Sequence, residues 1–382
     1  MAWGSSYYLP AVIAPAVAGD TGWPFAWVIG SLSLGLLVAG LISPHVGAAI
    51  ERHGGRMTLA FSAGCLGVGQ AMLAASPNLV VFVAGWLIMG LGMGAGLYDA
   101  AFGTLGRLYG RSARATITSL TLFGGFASTV CWPISAFLLD AFGWRGVCLV
   151  YATIQLLVAL PVYLLILPRD VPAESPLAQA AGPETGLSPR SLPFMATLAA
   201  SITLAAAISS TLSVHLLTVL QSTGIALGAA VGLGALVGPS QVGARAVEMA
   251  IARYHHPIWT KLASVTFVVL GVAALWTGLP ALPIALALYG AGIGLESIAR
   301  GTLPLALFGA RGYAKLMGRL AMPSLIAQAA APSAGALLLE HVGAPGLLSV
   351  LLGLALVNVA LVAALFAFQR CSLRPVRTIA PS

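Results

Sequence analysis

Apolar residues along this chain come in long unbroken runs, neither alternating as in a strand nor confined to one helical stripe. Twelve such runs, bounded by turns and charges, begin near Met1, Trp23, Met57, Leu79, Ala115, Arg145, Ser191, Ile225, Thr260, Pro280, Leu316 and Gly343. A helix needs about 20 mostly apolar residues to cross a bilayer, and these runs suit that length better than a soluble core. Open strands are excluded, because lipid leaves their backbone groups unsatisfied. Connections are tight, as in Ser76-Pro77-Asn78, Ser222-Thr223-Gly224 and Gly278-Leu279-Pro280. Only Pro168 to Arg190 breaks the pattern: it is rich in Pro, Glu, Ser and Gly and reads as a flexible polar linker. The predicted fold is an all-α membrane protein of twelve transmembrane helices in two pseudo-symmetric six-helix bundles. Residues 1–168 form the first, 169–190 the linker, 191–370 the second and 371–382 a tail.

Composition agrees. The 382 residues are 59% hydrophobic and 7% charged, against roughly a quarter charged in a soluble domain. The 45 glycines suit helices that approach closely in lipid. The net charge of +8 comes from basic residues in short loops, which is a topology signal and not a nucleic-acid surface. One side carries Arg52 and Arg56; Arg107, Arg111 and Arg114; Arg169 and Arg190; Arg253 and Lys261; Arg311, Lys315 and Arg319; and Arg370, Arg374 and Arg377. The other side carries essentially Arg145 alone. Linker and both termini are therefore expected in the cytoplasm, in a multi-pass protein of the cytoplasmic membrane. Ala16-Val17-Ala18 resembles a signal-peptidase site, but no basic residue precedes it and Pro10 and Pro15 interrupt the run, so no cleavage is expected. The first run begins almost at Met1, consistent with a true start slightly upstream. Cys65, Cys131, Cys148 and Cys371 lack metal or disulfide spacing.

The two halves repeat. Gly92-x-Gly94-x-Gly96 followed by Gly103-Thr104-Leu105 recurs as Gly290-x-Gly292-x-Gly294 followed by Gly301-Thr302-Leu303. Leu138-Leu139-Asp140-x-x-Gly143-x-x-Gly146 recurs as Leu338-Leu339-Glu340-x-x-Gly343-x-x-Gly346, and Val46-Gly47-Ala48 as Val242-Gly243-Ala244. The displacements run from 196 residues (Gly47 to Gly243) to 200 (Asp140 to Glu340). Such a parallel repeat points to two halves rocking about a central site.

Gly47-Ala48-Ala49-Ile50-Glu51-Arg52-His53-Gly54-Gly55-Arg56 resembles the G-x-x-x-D-R-x-G-R-R signature of the major facilitator superfamily. It departs by Glu51 for Asp and Gly55 for the first Arg of the final pair. Gly143-Trp144-Arg145 is similar to that family's opening of helix six. The resemblance implies a cytoplasmic latch of Gly47, Glu51, Arg52, Gly54 and Arg56 in the outward-open state. Trp86 stands where proton-driven drug antiporters of the family carry Arg, and Trp132-Pro133 where they carry Gly-Pro, which argues against that branch.

Charges inside membrane helices are costly and mark function or internal pairing. Asp99, Arg245, Glu248, Glu296 and Arg300 fall well inside the runs, and His215 joins them. In the family resembled, helices one, four, seven and ten line the cavity, which implies that Ser5, Ser6, Tyr7, Tyr8, Asp99, Ser209, Ser210, Thr211, His215, Glu296 and Arg300 lie near the pathway. By the repeat, Asp99 corresponds to Ser297, three residues before Arg300, so Asp99 and Arg300 are expected on facing surfaces. Glu296 and Arg300, four apart, are expected to pair within their helix. Gln241-x-x-x-Arg245-x-x-Glu248 shares one helical face, with Glu248 the nearest carboxylate in sequence to Arg245. A guanidinium there resembles the carboxylate-binding Arg of the monocarboxylate and oxalate branches, although Gln241 replaces the Asp that monocarboxylate carriers show. The expected substrate-binding residues are thus Arg245, Arg300, Asp99, Glu296, Gln241, Tyr7 and His215.

The expectation is a secondary transporter, monomeric in the lipid bilayer, moving a small polar solute, an anion in the first reading. It needs no cofactor, and coupling to a proton or ion gradient remains open. Export of a metabolite or a toxic compound such as an arsenical is the alternative within transport, and a non-transporting solute receptor the alternative outside it. No phosphate-binding loop or catalytic constellation supports an enzyme.

Overall fold

A computed structural model describes residues 1–168, 191–278 and 282–372. The expected linker with Arg169 and Arg190, the turn at Leu279-Pro280, and the tail with Arg374 and Arg377 lie outside the described residues. Among the described residues eight stretches are long and apolar enough to span a membrane. Leu79–Leu165 spans 87 residues and Tyr313–Ala367 spans 55. Neither is one rod, since the first reverses at 110–112 and at Gly143, and the second at Gly343. Resolving those three reversals and adding the broken helix before Thr21 gives twelve passes.

They are α1 (Ala2–Ser5 and Pro10–Thr21), α2 (Phe25–His53), α3 (Gly55–Ala75), α4 (Leu79–Gly96 and Tyr98–Tyr109), α5 (Ala113–Gly125, continuing over 127–142) and α6 (144–165). The second half holds α7 (Ser191–Ser222), α8 (Leu227–Gly234 and Val237–Ile251), α9 (Pro257–Trp276), α10 (Leu282–Phe308), α11 (313–342) and α12 (344–372). The chain is thus a multi-pass membrane protein.

The reversals at Gly143 (φ 66°, ψ 174°) and Gly343 (φ 69°, ψ −176°) occupy equivalent places in the repeat. Positive φ is strained for any residue with a Cβ, which is why glycine recurs there. The Gly-x-Gly-x-Gly runs have an equally direct cause. In α4, a Cβ at Gly90 or Gly94 would strike the backbone of α2 at Gly35 and Ala39, whereas one at Gly92 would strike Leu66 of α3. In α10, Gly290 and Gly294 press on α8 at Val237 and Gln241, and Gly292 on α9 at Ser264 and Val268. The hydroxyl of Ser62 donates to Gly92 O at 2.6 Å, and that of Ser264 to Gly292 O at 2.8 Å. Each half also ties its first helix to its last, through Gln155 Nε2 donating to Ser5 Oγ (2.9 Å) and Ser201 Oγ donating to Asn358 Oδ1 (2.6 Å).

Inter-half packing concentrates at the end carrying most of the arginines. There α2 and α4 meet α11, and α5 meets α8 and α10. Gly47 allows α2 to touch the backbone of α11 at Ala314 and Gly318, and Phe102, Ile117, Leu303, Tyr313 and Met317 form a buried cluster across both halves. Toward the other end Pro10–Thr21 and Leu227–Gly234 pack chiefly on helices of their own half. The protein is closed at its basic end.

Helix α11 carries two internal prolines, Pro323 and Pro332. Pro332 has no N–H to bond Gln328 O. Instead Ser210 Oγ of α7 donates to that carbonyl at 3.1 Å, and Thr211 Oγ1 to Ala331 O at 3.3 Å.

Gly290→Val and Gly90→Val are expected to lower the thermal unfolding midpoint of the purified protein by several degrees, because overpacking costs about 1–3 kcal/mol. Gly64→Val, where a Cβ meets nothing within 4 Å, serves as the control. Equal midpoints in all three variants would show that the glycines are not packing contacts.

Candidate substrate-binding site

The site grows from one guanidinium. Arg245 lies on α8 and is 5% exposed. It is six residues from the end of that helix, so about 9 Å deep at 1.5 Å per residue. Its Nε donates to Ser297 Oγ of α10 at 3.0 Å and to Gly294 O at 3.3 Å, and its Nη2 to Gln241 Oε1 at 3.4 Å. Its Nη1 crosses to the first half and lies against Gly125 of α5, where any Cβ would collide with it. Among the described residues no carboxylate pairs with Arg245. A buried cation with only neutral partners is an unusual arrangement, because burial is costly unless the charge is compensated.

Opposite Arg245 the first half presents aromatic rings. Trp3 contacts Tyr7 (5.3 Å between centroids) and Tyr98 (4.9 Å), Tyr7 meets Tyr8 edge-on, and Tyr8 meets Trp132. Tyr98 stacks on Phe102 with ring planes 8° apart. Tyr8 and Tyr98 both lie within the electrostatic reach of Arg245. Gly124 leaves room for the Tyr98 hydroxyl as Gly125 does for the guanidinium. Tyr7 reaches across to Ser210 of α7.

The remaining intramembrane charges are paired, and two of the pairs differ from the sequence expectation. Glu248 does not face Arg245: Thr260 Oγ1 donates to its Oε1 at 2.7 Å and His255 Nε2 lies 3.4 Å from its Oε2. Glu296 does not pair with Arg300 within α10. It takes Lys261 of α9 at 2.5 Å and Ser264 at 3.0 Å. Arg300 instead makes a two-pronged bond to Asp99 of α4, at 2.8 and 2.7 Å, and also donates to Ser324 Oγ of α11. The facing helix offers the guanidinium both carboxylate oxygens, a charge-assisted two-pronged bond.

Lys261 is the residue that sequence reasoning misplaced. Counted as a loop charge, it is 1% exposed inside α9. Pro257 as the first helical residue, with His256 Nδ1 accepting from Ile258 N, starts that helix earlier than the apolar run does. Pro at the first turn was the available signal. His215 is turned away from Arg245, with Nε2 2.9 Å from Pro332 O of α11. Thr211 likewise serves α11, and Ser5 serves Gln155.

At the basic end Glu51 crosses the halves, its Oε1 accepting from Gly312 N at 3.3 Å at the start of α11. Arg107 donates to Glu51 O. Gly54 turns the chain with φ 83°, and a side chain at Gly55 would collide with Thr104, which accounts for the missing Arg of the signature. Arg52 is exposed and Arg56 half-buried. Two apolar grooves elsewhere, one between Met57, Phe61, Cys65 and Leu164 and one between Ala11, Trp132 and Pro133, lie apart from these charges.

A sequence model described as Major Facilitator Superfamily matches residues 1–252. A human protein named monocarboxylate transporter 11 is 33% identical over 166 residues, covering 42% of this chain and 32% of that protein. A Mycobacterium tuberculosis H37Rv protein named multidrug resistance protein B homolog is 28% identical over 158 residues, covering 41% and 28%. The chain thus spans about a third or less of the length of these relatives. Among solved structures, the human organic anion transporter MFSD10 superposes with a TM-score of 0.68 at 19% identity, covering 91% of this chain and 88% of that one. FucP in its outward conformation gives 0.73 at 14% identity, covering 98% and 96%. A bacterial homologue of the iron transporter ferroportin, outward-facing with soaked iron, gives 0.74 at 13%, covering 96% of each. At these identities the superpositions establish the fold alone.

Removing one partner from a buried ion pair costs about 3–5 kcal/mol. Glu296→Gln is therefore expected to destabilise the protein strongly by leaving Lys261 unpaired, and Lys261→Glu/Glu296→Lys to recover part of the loss. Thermal unfolding of the three purified proteins checks this. A fully stable Glu296→Gln would return Glu296 to the group of substrate ligands.

Proposed function

The chain belongs to the major facilitator superfamily, and from that premise we propose that it carries a small organic anion, with Arg245 as the residue that binds it. The carrying observation is the state of Arg245: buried, two-pronged, and without a carboxylate of its own. An anion would complete its coordination, and a planar guanidinium suits a carboxylate better than an ammonium does. Gln241 and Ser297 hold the guanidinium in place. The aromatic rings of α1 and α4 favour a carboxylate with an apolar or aromatic body. The names of one human relative and one solved neighbour, a monocarboxylate transporter and an organic anion transporter, agree with this reading.

Transport would proceed by alternating access. The contacts Glu51–Gly312 and the cluster around Tyr313 close the basic end, which supports entry of substrate from the opposite side. The rival reading, export of a toxic compound, draws on the Mycobacterium relative's name. A buried Trp86 in α4 is apolar where a drug antiporter would carry a cation.

Arg245→Lys is expected to fold and insert normally yet bind benzoate at least tenfold more weakly, since a charge-assisted two-pronged bond becomes a point contact. Glu248→Gln is expected to keep most of the binding, because its carboxylate serves Thr260 and His255. The measurement is benzoate- and lactate-induced thermal stabilisation of each purified variant. Equal stabilisation in Arg245→Lys and wild type, or none in wild type, overturns the proposal.

We also propose that the basic end faces the cytoplasm, from the one-sided distribution of Arg and Lys. Reporters fused after Arg190 and at the C-terminus are both expected to read cytoplasm, and a signal from the far side from either rejects the orientation.

A further inference from the structure

The joint between α2 and α11 carries exposed basic side chains on one flank. The two helices belong to different halves and run antiparallel. Glu51 meets Gly312, Gly47 meets Ala314 and Gly318, and Gly40 meets Met322 and Ile326. In each helix the residue after a contact position is turned out of the joint, at 3.6 residues per turn. On α2 the buried Gly40 is followed by the exposed Leu41, and on α11 Ala314 and Gly318 are followed by the exposed Lys315 and Arg319. In an antiparallel pair that one-residue step leads to the same flank, so these positions border one furrow between the halves.

The furrow is amphipathic along its length. Lys315 and Arg319 are four apart on one face of α11, and Leu37, Leu41 and His45 are spaced by four on one face of α2, with Arg52 seven further on. All six are exposed. Arg319 stands six residues inside α11, about 9 Å from its start, and His45 eight residues inside the end of α2, about 12 Å. Long cationic side chains at such depth extend along the helix toward the membrane surface. Among the described residues no carboxylate pairs with Arg52, Lys315 or Arg319. Glu51, beside Arg52, is turned across the joint to Gly312 N. Toward the membrane centre the furrow is bordered by Leu37, Leu41 and Ile326.

We propose that this furrow binds an anionic phospholipid, and that the bound lipid holds the basic end closed. Its phosphate lies between Arg52 and His45 of the first half and Lys315 and Arg319 of the second, and an acyl chain follows the apolar stretch. Basic pockets between membrane helices take anionic head groups in this way. A soluble anion would use the basic groups and leave the apolar stretch without a role. Each half contributes two of the basic groups, so the head group meets all four only while α2 lies on α11. Opening the basic end parts the helices and leaves the lipid with one pair. A ligand shifts an equilibrium by its differential affinity for the two states, and here that difference favours the closed form. The inference rests on the alternating-access reading, but neither on which anion is carried nor on which side is cytoplasm.

The test uses the full chain with its four native cysteines replaced by serine and a single reporter, Met317→Cys. Met317 is fully buried in the cluster that joins the halves at the basic end, so N-ethylmaleimide reaches the new thiol when that end opens. Ala314→Cys, buried at the same joint, is a second reporter in case the first perturbs packing. Labelling rates are compared in nanodiscs of phosphatidylglycerol and of phosphatidylcholine, each with the same lipid in both leaflets. Labelling is expected to be about fivefold slower in phosphatidylglycerol, the effect of about one surface cation on anionic-lipid binding. Lys315→Gln/Arg319→Gln is expected to lose the difference. Arg111→Gln/Arg253→Gln removes two exposed cations of the same end, in the α4–α5 and α8–α9 connections, and is expected to keep it. Equal rates in the two lipids overturn the proposal. So does a difference that survives in Lys315→Gln/Arg319→Gln, or one lost equally in Arg111→Gln/Arg253→Gln. No labelling in either lipid overturns alternating access and this inference with it, whereas failure of benzoate binding leaves the lipid ratio untouched.

Discussion

A charge placed inside lipid-surrounded helices must be answered by another group, and the arrangement of this protein follows from how each one is answered. Lys261 and Glu296 neutralise each other between α9 and α10, within one half. Glu248 is held by a hydroxyl and a histidine at the start of α9. Both lie within the second half. Asp99 and Arg300 neutralise each other across the halves. Arg245, among the described residues, is answered by neutral groups. The charges thus differ by the partner each one has.

The scaffold that holds these charges is made of close helix contacts. Glycines at alternate positions of α4 and α10 bring each within backbone contact of two neighbours, and a serine on the facing helix then reaches a backbone carbonyl. Such contacts leave little freedom inside a half. Movement is directed to the surface between halves, where α2 meets α11 and α5 meets α8.

Much of this was legible in the sequence. The twelve runs, the repeat and the glycine reversals required only periodicity and spacing, because in lipid the chain has few alternatives to helices. The Asp99–Arg300 pair followed from the repeat, since equivalent faces of two related helices must look at each other. The partners of Glu296 and Glu248 did not follow. Sequence neighbours compete poorly with residues on a packed adjacent helix, and Lys261 looked like a loop charge because its helix begins with polar and histidine residues before the apolar run. Tyr98, Ser297, Gly124 and Gly125 were also invisible as site residues, because nothing in their type distinguishes them from packing until Arg245 is placed among them.

The gap in α11 at Pro332 has a mechanical meaning. Pro323 and Pro332 each remove a rung from the ladder of α11, and the carbonyl freed by Pro332, Gln328 O, is held by the Ser210 hydroxyl of α7 rather than by the helix itself. Helix α11 lies against the first half from Tyr313 as far as Ile326, and its carbonyls at Gln328, Ala331 and Pro332 meet side chains of α7. The same helix is therefore seated on the first half along its near part and held by α7 where its own ladder is interrupted, so one helix ties the two halves to each other.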